Sequence, residues 1–128
     1  MQEFIEKRIK KMTAYGQSLP GAEVYFREDW GTVYFSLLGK QFGLMNPAAD
    51  PQAKITLKNL PKKNEELREL YSGAIIPGYY ANKTHWNSVL LSSKEVSDEQ
   101  IEQLIFESYQ LVRAKLTKSE RKTLLMND

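Results

Sequence analysis

The spacing of apolar residues changes period twice along the chain. Phe4, Ile5, Ile9 and Met12 recur at near-helical spacing and predict an amphipathic helix over residues 2 to 14. Gly16 and the Leu19-Pro20-Gly21 segment are placed to stop it. The period then drops to two: Val24 and Phe26 alternate with Glu23, Tyr25 and Arg27. After an Asp29-Trp30-Gly31 turn, Val33, Phe35 and Leu37 alternate with Tyr34 and Ser36. Gly39-Lys40 sits where a tight hairpin turn would fall, and Phe42 and Leu44 continue the alternation. Beyond a loop from Asn46 to Pro51, Ala53, Ile55 and Leu57 point one way and Lys54, Thr56 and Lys58 the other. Such short connections predict an antiparallel meander, because parallel pairs need long crossovers.

The helical period returns over residues 61 to 72, where Pro61 suits a first turn and Gly73 a cap. Ala74 to Thr84 reads as irregular and extended, and His85 to Leu91 as a fifth strand. Ser97-Asp98-Glu99-Gln100 has the form of a capping box. It opens a long helix with Ile101, Leu104, Ile105, Ser108, Leu111, Val112 and Leu116 on one stripe. A second box, Thr117 to Glu120, predicts a short terminal helix or a kinked continuation. Strands and helices are segregated, so the fold class is α+β. The expected architecture is an antiparallel sheet of about five strands with the N- and C-terminal helices on one face. The other face would then show Tyr25, Tyr34, Ser36, Lys54, Thr56 and Lys58.

At 128 residues with 41% hydrophobic and 27% charged positions, one domain over residues 1–128 can bury its own core. The chain has no cysteine and a single histidine, His85, which removes thiolate chemistry and the usual multi-histidine metal sites. No apolar run approaches the roughly 18 residues that span a bilayer, and the charged N-terminus lacks a signal-peptide core. A cytoplasmic protein without membrane contact is the expectation. The net charge of +2 argues little about partners. Its distribution says more: Lys7, Arg8, Lys10 and Lys11 crowd the first helix, and Lys54, Lys58, Lys62 and Lys63 form an acid-free run. Acids from Glu95 to Glu107 precede bases from Arg113 to Lys122, which complements a helix dipole.

Phosphate-cradling glycine motifs, nucleophile elbows and HExxH are absent from the sequence, so no cofactor and no catalytic residue is expected. The chemistry-bearing residues concentrate in Gly73 to Val89, which carries Tyr79, Asn82, Lys83, His85, Trp86 and Asn87. This segment has two readings. Either it is a contact loop, or Tyr79 and Trp86 plug the core while Asn82 and Asn87 satisfy turn backbone.

Asn82-Lys83-x-His85-Trp86-Asn87-Ser88-Val89 resembles the signature of the MmcQ/YjbR family. The later Ser108-Tyr109-x-Leu111-Val112-x-Ala114-Lys115-Leu116 and the lead-in Ile76-Pro77-Gly78-Tyr79 are similar to it as well. The likeness runs from the strands near residue 23 to the tail. It implies a CyaY-like (frataxin-like) antiparallel sheet flanked by helices. It also implies a non-enzymatic DNA-binding role, ascribed in that family to a double wing of strands. On this footing Lys54, Lys58, Asn82, Lys83, His85 and Asn87 are the expected nucleic-acid contacts, with Tyr25, Tyr34 or Trp86 available to bases and sugars. Tyr79 and Trp86 are the expected structural anchors, Trp86 packing under the loop. Without a helix-turn-helix or RRM pattern, sequence specificity should be low. The alternative is a protein- or small-molecule-binding module on the same fold. Frataxin-like iron binding is disfavoured, because the first helix sets only Glu3 and Glu6 against four bases. A monomer or weak dimer is expected.

Overall fold

The computed structural model describes residues 1–78 and 82–127. Helix α1 (Gln2–Ser18) leads into strands β1 (Ala22–Arg27), β2 (Thr32–Leu37), β3 (Lys40–Met45) and β4 (Lys54–Lys58). Then come α2 (Pro61–Leu70), β5 (Ile75–Pro77), β6 (Trp86–Leu90), α3 (Asp98–Arg113) and α4 (Lys118–Asn127). The strands form one antiparallel sheet in the order β1-β2-β3-β4-β6-β5. The α+β class and the meander expected from the periodicity are both present. The sheet has six strands where about five are expected, because Ile75–Pro77, read as irregular, pairs with β6 from Ile75↔Val89 to Pro77↔Asn87.

Two boundaries also differ from expectation. Helix α1 continues through Gly16, where close packing needs a residue without a side chain. A Cβ there would lie 2.6 Å from Phe35 Cε2 and 2.9 Å from Val24 Cγ2. The β2–β3 turn is Leu38-Gly39 rather than Gly39-Lys40: Leu37 pairs with Lys40, and both turn residues have positive φ (50° and 80°), as a two-residue hairpin of type I′ requires.

Helices α1, α2 and α3 pack on one face of the sheet. Phe35 meets Phe42 edge-on, Phe42 meets Tyr109 of α3 edge-on, and the Tyr109 hydroxyl donates to Pro20 O at 2.6 Å. Phe42 reaches this core because the β2–β3 register shifts after Phe35, making it the extra residue of a bulge. Both capping boxes form. Ser97 and Gln100 bond reciprocally at the start of α3, and Thr117 and Glu120 do so at the start of α4.

The opposite face differs from the solvated surface expected of it. Tyr34, Ser36 and Thr56 are all buried. The small residues are enclosed by taller neighbours: Thr56 Oγ1 lies 2.7 Å from Ser88 Oγ in a row flanked by Leu44, Lys54, Lys58 and Trp86. Tyr34 is walled in by Tyr25, Trp30 and Arg27. Arg8, one of the four bases that crowd the first helix, is buried too. Its guanidinium donates to Asp98 Oδ1 and to the carbonyls of Leu91, Ser93 and Val96, tying α1 to the turn before α3. Among the described residues, no helix is long and apolar enough to cross a membrane.

Candidate nucleic-acid interface

The 82–88 segment is held from below by α2. Asn82 Oδ1 accepts from the backbone N–H groups of Thr84 (2.8 Å) and His85 (3.3 Å), and the Trp86 N–H donates to Asn82 O at 2.9 Å. This closes an Asx-type turn. Arg68 then donates to Asn87 Oδ1 at 2.6 Å and to the carbonyls of Lys83 and Trp86. Asn64 Nδ2 donates to Thr84 O at 3.1 Å, and Asn87 Nδ2 donates to Asn64 O at 3.2 Å. The Asn59 N–H extends the β4–β6 ladder by one bond to His85 O at 2.9 Å.

This network separates the expected contact residues. Asn87 is buried with both ends of its amide engaged, and the Asn82 amide oxygen serves the turn, so the chemistry visible for both is structural. Lys83 and His85 lie exposed on the outside of the same turn. Trp86 is half-buried opposite Lys58 on the face away from the helices, with its Cβ and carbonyl against Gly78. Tyr79 lies outside the described residues. Arg68, Asn59 and Asn64 were not singled out from the sequence. An arginine mid-helix and two asparagines around Pro61 carry no periodic signal, and only the folded contacts reveal their job.

Several basic residues lie on the segments that border this turn, β4 opposite Trp86 and α2 beneath Thr84. Lys58 is half-buried at the end of β4, and its ammonium is pushed below its ordinary pKa by burial and then by the Lys115 amine beside it. Lys62 and Lys63 occupy the first turn of α2, which has no acidic residue and no side-chain cap. The positive end of that helix dipole is therefore uncompensated. The ion pairs of the described residues join Arg8 and Lys11 to Asp98, Arg27 to Asp29 and Lys40 to Glu120; none takes in Lys58, Lys62, Lys63, Lys83 or Lys115. Glu107 of α3 accepts from Asn59 Nδ2 at 2.8 Å and from Gln103 Nε2.

Lys54 stands apart at the other end of β4, four residues and roughly 13 Å from Lys58. Tyr25 and Tyr34 stand apart too, on β1 and β2. The enclosed cavity between α2 and the sheet, bordered by Leu57, Asn59, Asn64, Leu67, Asn87 and Leu104, has a volume of about 10 Å³, too little for an organic ligand. Among the described residues no group of three or more His, Asp or Glu side chains is arranged to hold a metal ion.

Residues 17–111 match the family model YjbR. The chain is 30% identical over 117 residues to the uncharacterized protein YjbR of Escherichia coli K12, covering 91% of this chain and 97% of the relative. It is 38% identical over 68 residues to the uncharacterized protein YbdF of Escherichia coli O157:H7, covering 53% of this chain and 54% of that one. The crystal structure of Deinococcus radiodurans DR2400, assigned the domain DUF419, superposes with a TM-score of 0.79 at 33% identity, over 91% of this chain and 86% of that one. A crystal structure of a Pseudomonas syringae protein superposes with a TM-score of 0.64 at 25% identity, over 80% of this chain and 96% of that one.

Proposed function

The chain belongs to the YjbR family, and from that premise and the geometry of the turn at 82–88 we propose that it binds nucleic acid, without catalysis, through phosphate contacts. One observation carries the reading: Lys58 is held half-buried beside the Lys115 amine, its own pKa lowered first by burial and then by that neighbouring charge. Two like charges brought together, with Lys62, Lys63 and Lys83 on neighbouring segments and none of them in an ion pair among the described residues, favour a polyanion as the group that relieves them. The contact set is Lys58, Lys62, Lys83 and Lys115, with His85 as a hydrogen-bonding neighbour. Asn82 and Asn87 shape the turn instead of touching the ligand. Backbone contacts of this kind carry no base readout, so low sequence specificity follows. A cytoplasmic location suits the same role. A small-molecule module is the second reading; among the described residues, the cavity between α2 and the sheet, about 10 Å³, is too small to be its site.

The test is a salt titration with duplex and single-stranded oligonucleotides of unrelated sequence. Four phosphate contacts give a slope of log K against log salt near about −3.6, and a loss on the order of a hundredfold between about 50 and 200 mM salt. Lys83→Ala should weaken all sequences alike and reduce the slope by about 1. Affinity that is indifferent to salt and to Lys58→Ala, Lys83→Ala and Lys115→Ala would rule the proposal out.

A further inference from the structure

The two edges of the sheet are unlike. Strand β5 has three residues and ends in Pro77, a blunted edge. Strand β1 has six residues, Ala22-Glu23-Val24-Tyr25-Phe26-Arg27, with neither proline nor lysine. The Val24 N–H donates to the side chain of Gln17 at 3.3 Å, so that N–H points away from β2. Phe26, two residues on, presents its backbone to the same outer side. The hairpin above this edge exposes aromatic surface: Tyr25, Phe26 and Trp30 are about half exposed. They are also held in place. Arg27, bonded to Asp29 at 2.7 Å, stacks 3.7 Å over the Trp30 ring, which meets Tyr34 edge-on. With Glu28 and Asp29 at its tip, the hairpin does not suit phosphates.

We propose that β1 pairs antiparallel with β1 of a second copy about a twofold axis at Tyr25, extending the sheet across two chains. Three independent features select this register. Backbone parity is the first: Val24 and the partner's Phe26 both point outward and form the hydrogen-bonded pairs, the Val24 N–H exchanging its long 3.3 Å bond to Gln17 for the partner's Phe26 carbonyl, which makes Tyr25 and the partner's Tyr25 a close, non-hydrogen-bonded pair. Charge is the second: Glu23, in no ion pair among the described residues, falls opposite the partner's Arg27, and Arg27 opposite the partner's Glu23. Each guanidinium is then shared between its own Asp29 and the partner's Glu23, so the strand is complementary to itself. A shift of the register by two in either direction loses both pairs. The third is shape. Phe26 shares the helix side of the sheet with Val24, and the open, shallow surface of α1 formed by Ile9, Lys10, Thr13, Ala14, Gln17 and Ser18 adjoins that edge through Gln17, where the partner's Phe26 opposite Val24 would have an apolar floor in Ile9 and Ala14.

Because the chain has no cysteine, a single introduced one reports the register directly. In this dimer Tyr25 and the partner's Tyr25 have Cα atoms about 4.5 Å apart, within disulfide reach. Glu23 and the partner's Glu23 are about 13 Å apart along the strands. Under mild oxidation Tyr25→Cys should cross-link nearly completely and Glu23→Cys hardly at all, while the unmodified protein sediments as a monomer–dimer equilibrium. A charge exchange covers the chance that cysteine disturbs the hairpin. Glu23→Arg alone and Arg27→Glu alone should each sediment as monomers, and their equimolar mixture should regain the dimer, since both cross-strand pairs are then opposite in sign. Equal cross-linking of both cysteine variants, no rescue on mixing, or a wild-type chain that stays monomeric up to about 1 mM would overturn the proposal.

Discussion

The hydroxyl of Ser108 donates to the backbone carbonyl of Phe42 at 2.6 Å, and the same oxygen accepts from the Lys58 N–H at 2.9 Å. Strands β3 and β4 pair only as far as Gly43↔Leu57, so beyond that rung a side chain of α3 supplies the hydrogen bonds the sheet lacks. The bulge at Phe42 and the exit of β4 toward Asn59 both depend on it. Ser108 is fully buried. Ser108→Ala should therefore strand the buried Phe42 carbonyl and the partly buried Lys58 N–H, at a cost of about 1–3 kcal/mol. Urea denaturation checks the magnitude, and faster hydrogen exchange confined first to the Lys58 amide checks the cause.

Gly16 gives a test whose sign runs against helix propensity. In a solvent-exposed helix interior, Gly→Ala stabilises by about 1 kcal/mol. Here the added methyl meets the Phe35 ring and Val24 at 2.6–2.9 Å, and the fully buried Phe35 ring is packed edge-on against Phe42. Overpacking of this kind costs about 1–3 kcal/mol. The expected outcome for Gly16→Ala is a lower melting temperature with unchanged helix content. A higher melting temperature would show that α1 lifts from the sheet at little cost.

The elements with strong periodicity were legible in the chain. Strands β1 to β4, α2, α3 and both capping boxes follow from alternation, stripe and cap residues, all local properties. What the sequence hid is non-local. Three-residue β5 is too short to show a period, and it exists because Ile75 finds Val89 across the sheet. Tyr34 and Thr56 alternate as outward residues and do point outward, but their burial depends on the height of neighbours on adjacent strands, which a linear pattern does not encode. Arg8 looked like one more cation on a basic helix face, and its four bonds all reach residues more than eighty positions away. The 82–89 motif was visible, and its two readings divide by residue: Asn82 and Asn87 build the turn, and Lys83 and His85 stand on its outer side.

Asp98 should set part of the acid sensitivity of the fold. Burial opposes its charge, but the hydrogen bonds from Arg8 (2.8 Å) and Lys11 (3.2 Å) outweigh that and hold its carboxyl below the ordinary value. A carboxylate with a depressed folded-state pKa contributes stability above its unfolded value of about 3.9, and that contribution is lost as pH falls through the lower folded value. With the carboxylate 32% exposed, the contribution is discounted for solvent screening to about 1–2 kcal/mol. Asp98→Asn should be less stable than wild type by that amount at pH 7, and the gap should close below about pH 4. A gap that is constant down to pH 2 would mean the ionised form contributes nothing.

Arg68 is where the structural and functional roles of the 82–88 turn can be pulled apart. Its planar fork engages the Asn87 amide through Nε while Nη2 reaches the carbonyls of Lys83 and Trp86. A lysine ammonium has no second nitrogen held at that spacing, so Arg68→Lys cannot keep both ends of the grip. Both Arg68→Lys and Arg68→Ala should destabilise, the alanine variant by about 1.5–3 kcal/mol, as expected for lost hydrogen bonds from a charged donor. The lysine variant conserves charge, so any loss of nucleic-acid affinity it shows is a loss of loop geometry rather than of a phosphate contact. Its salt slope should therefore stay at the wild-type value while the affinity itself drops, the opposite of the slope change expected for Lys83→Ala. Salt-titrated binding of the two variants side by side, with hydrogen exchange at Thr84 and His85 to report the turn, checks this. A slope that falls by about 1 in Arg68→Lys would instead make Arg68 itself a phosphate contact.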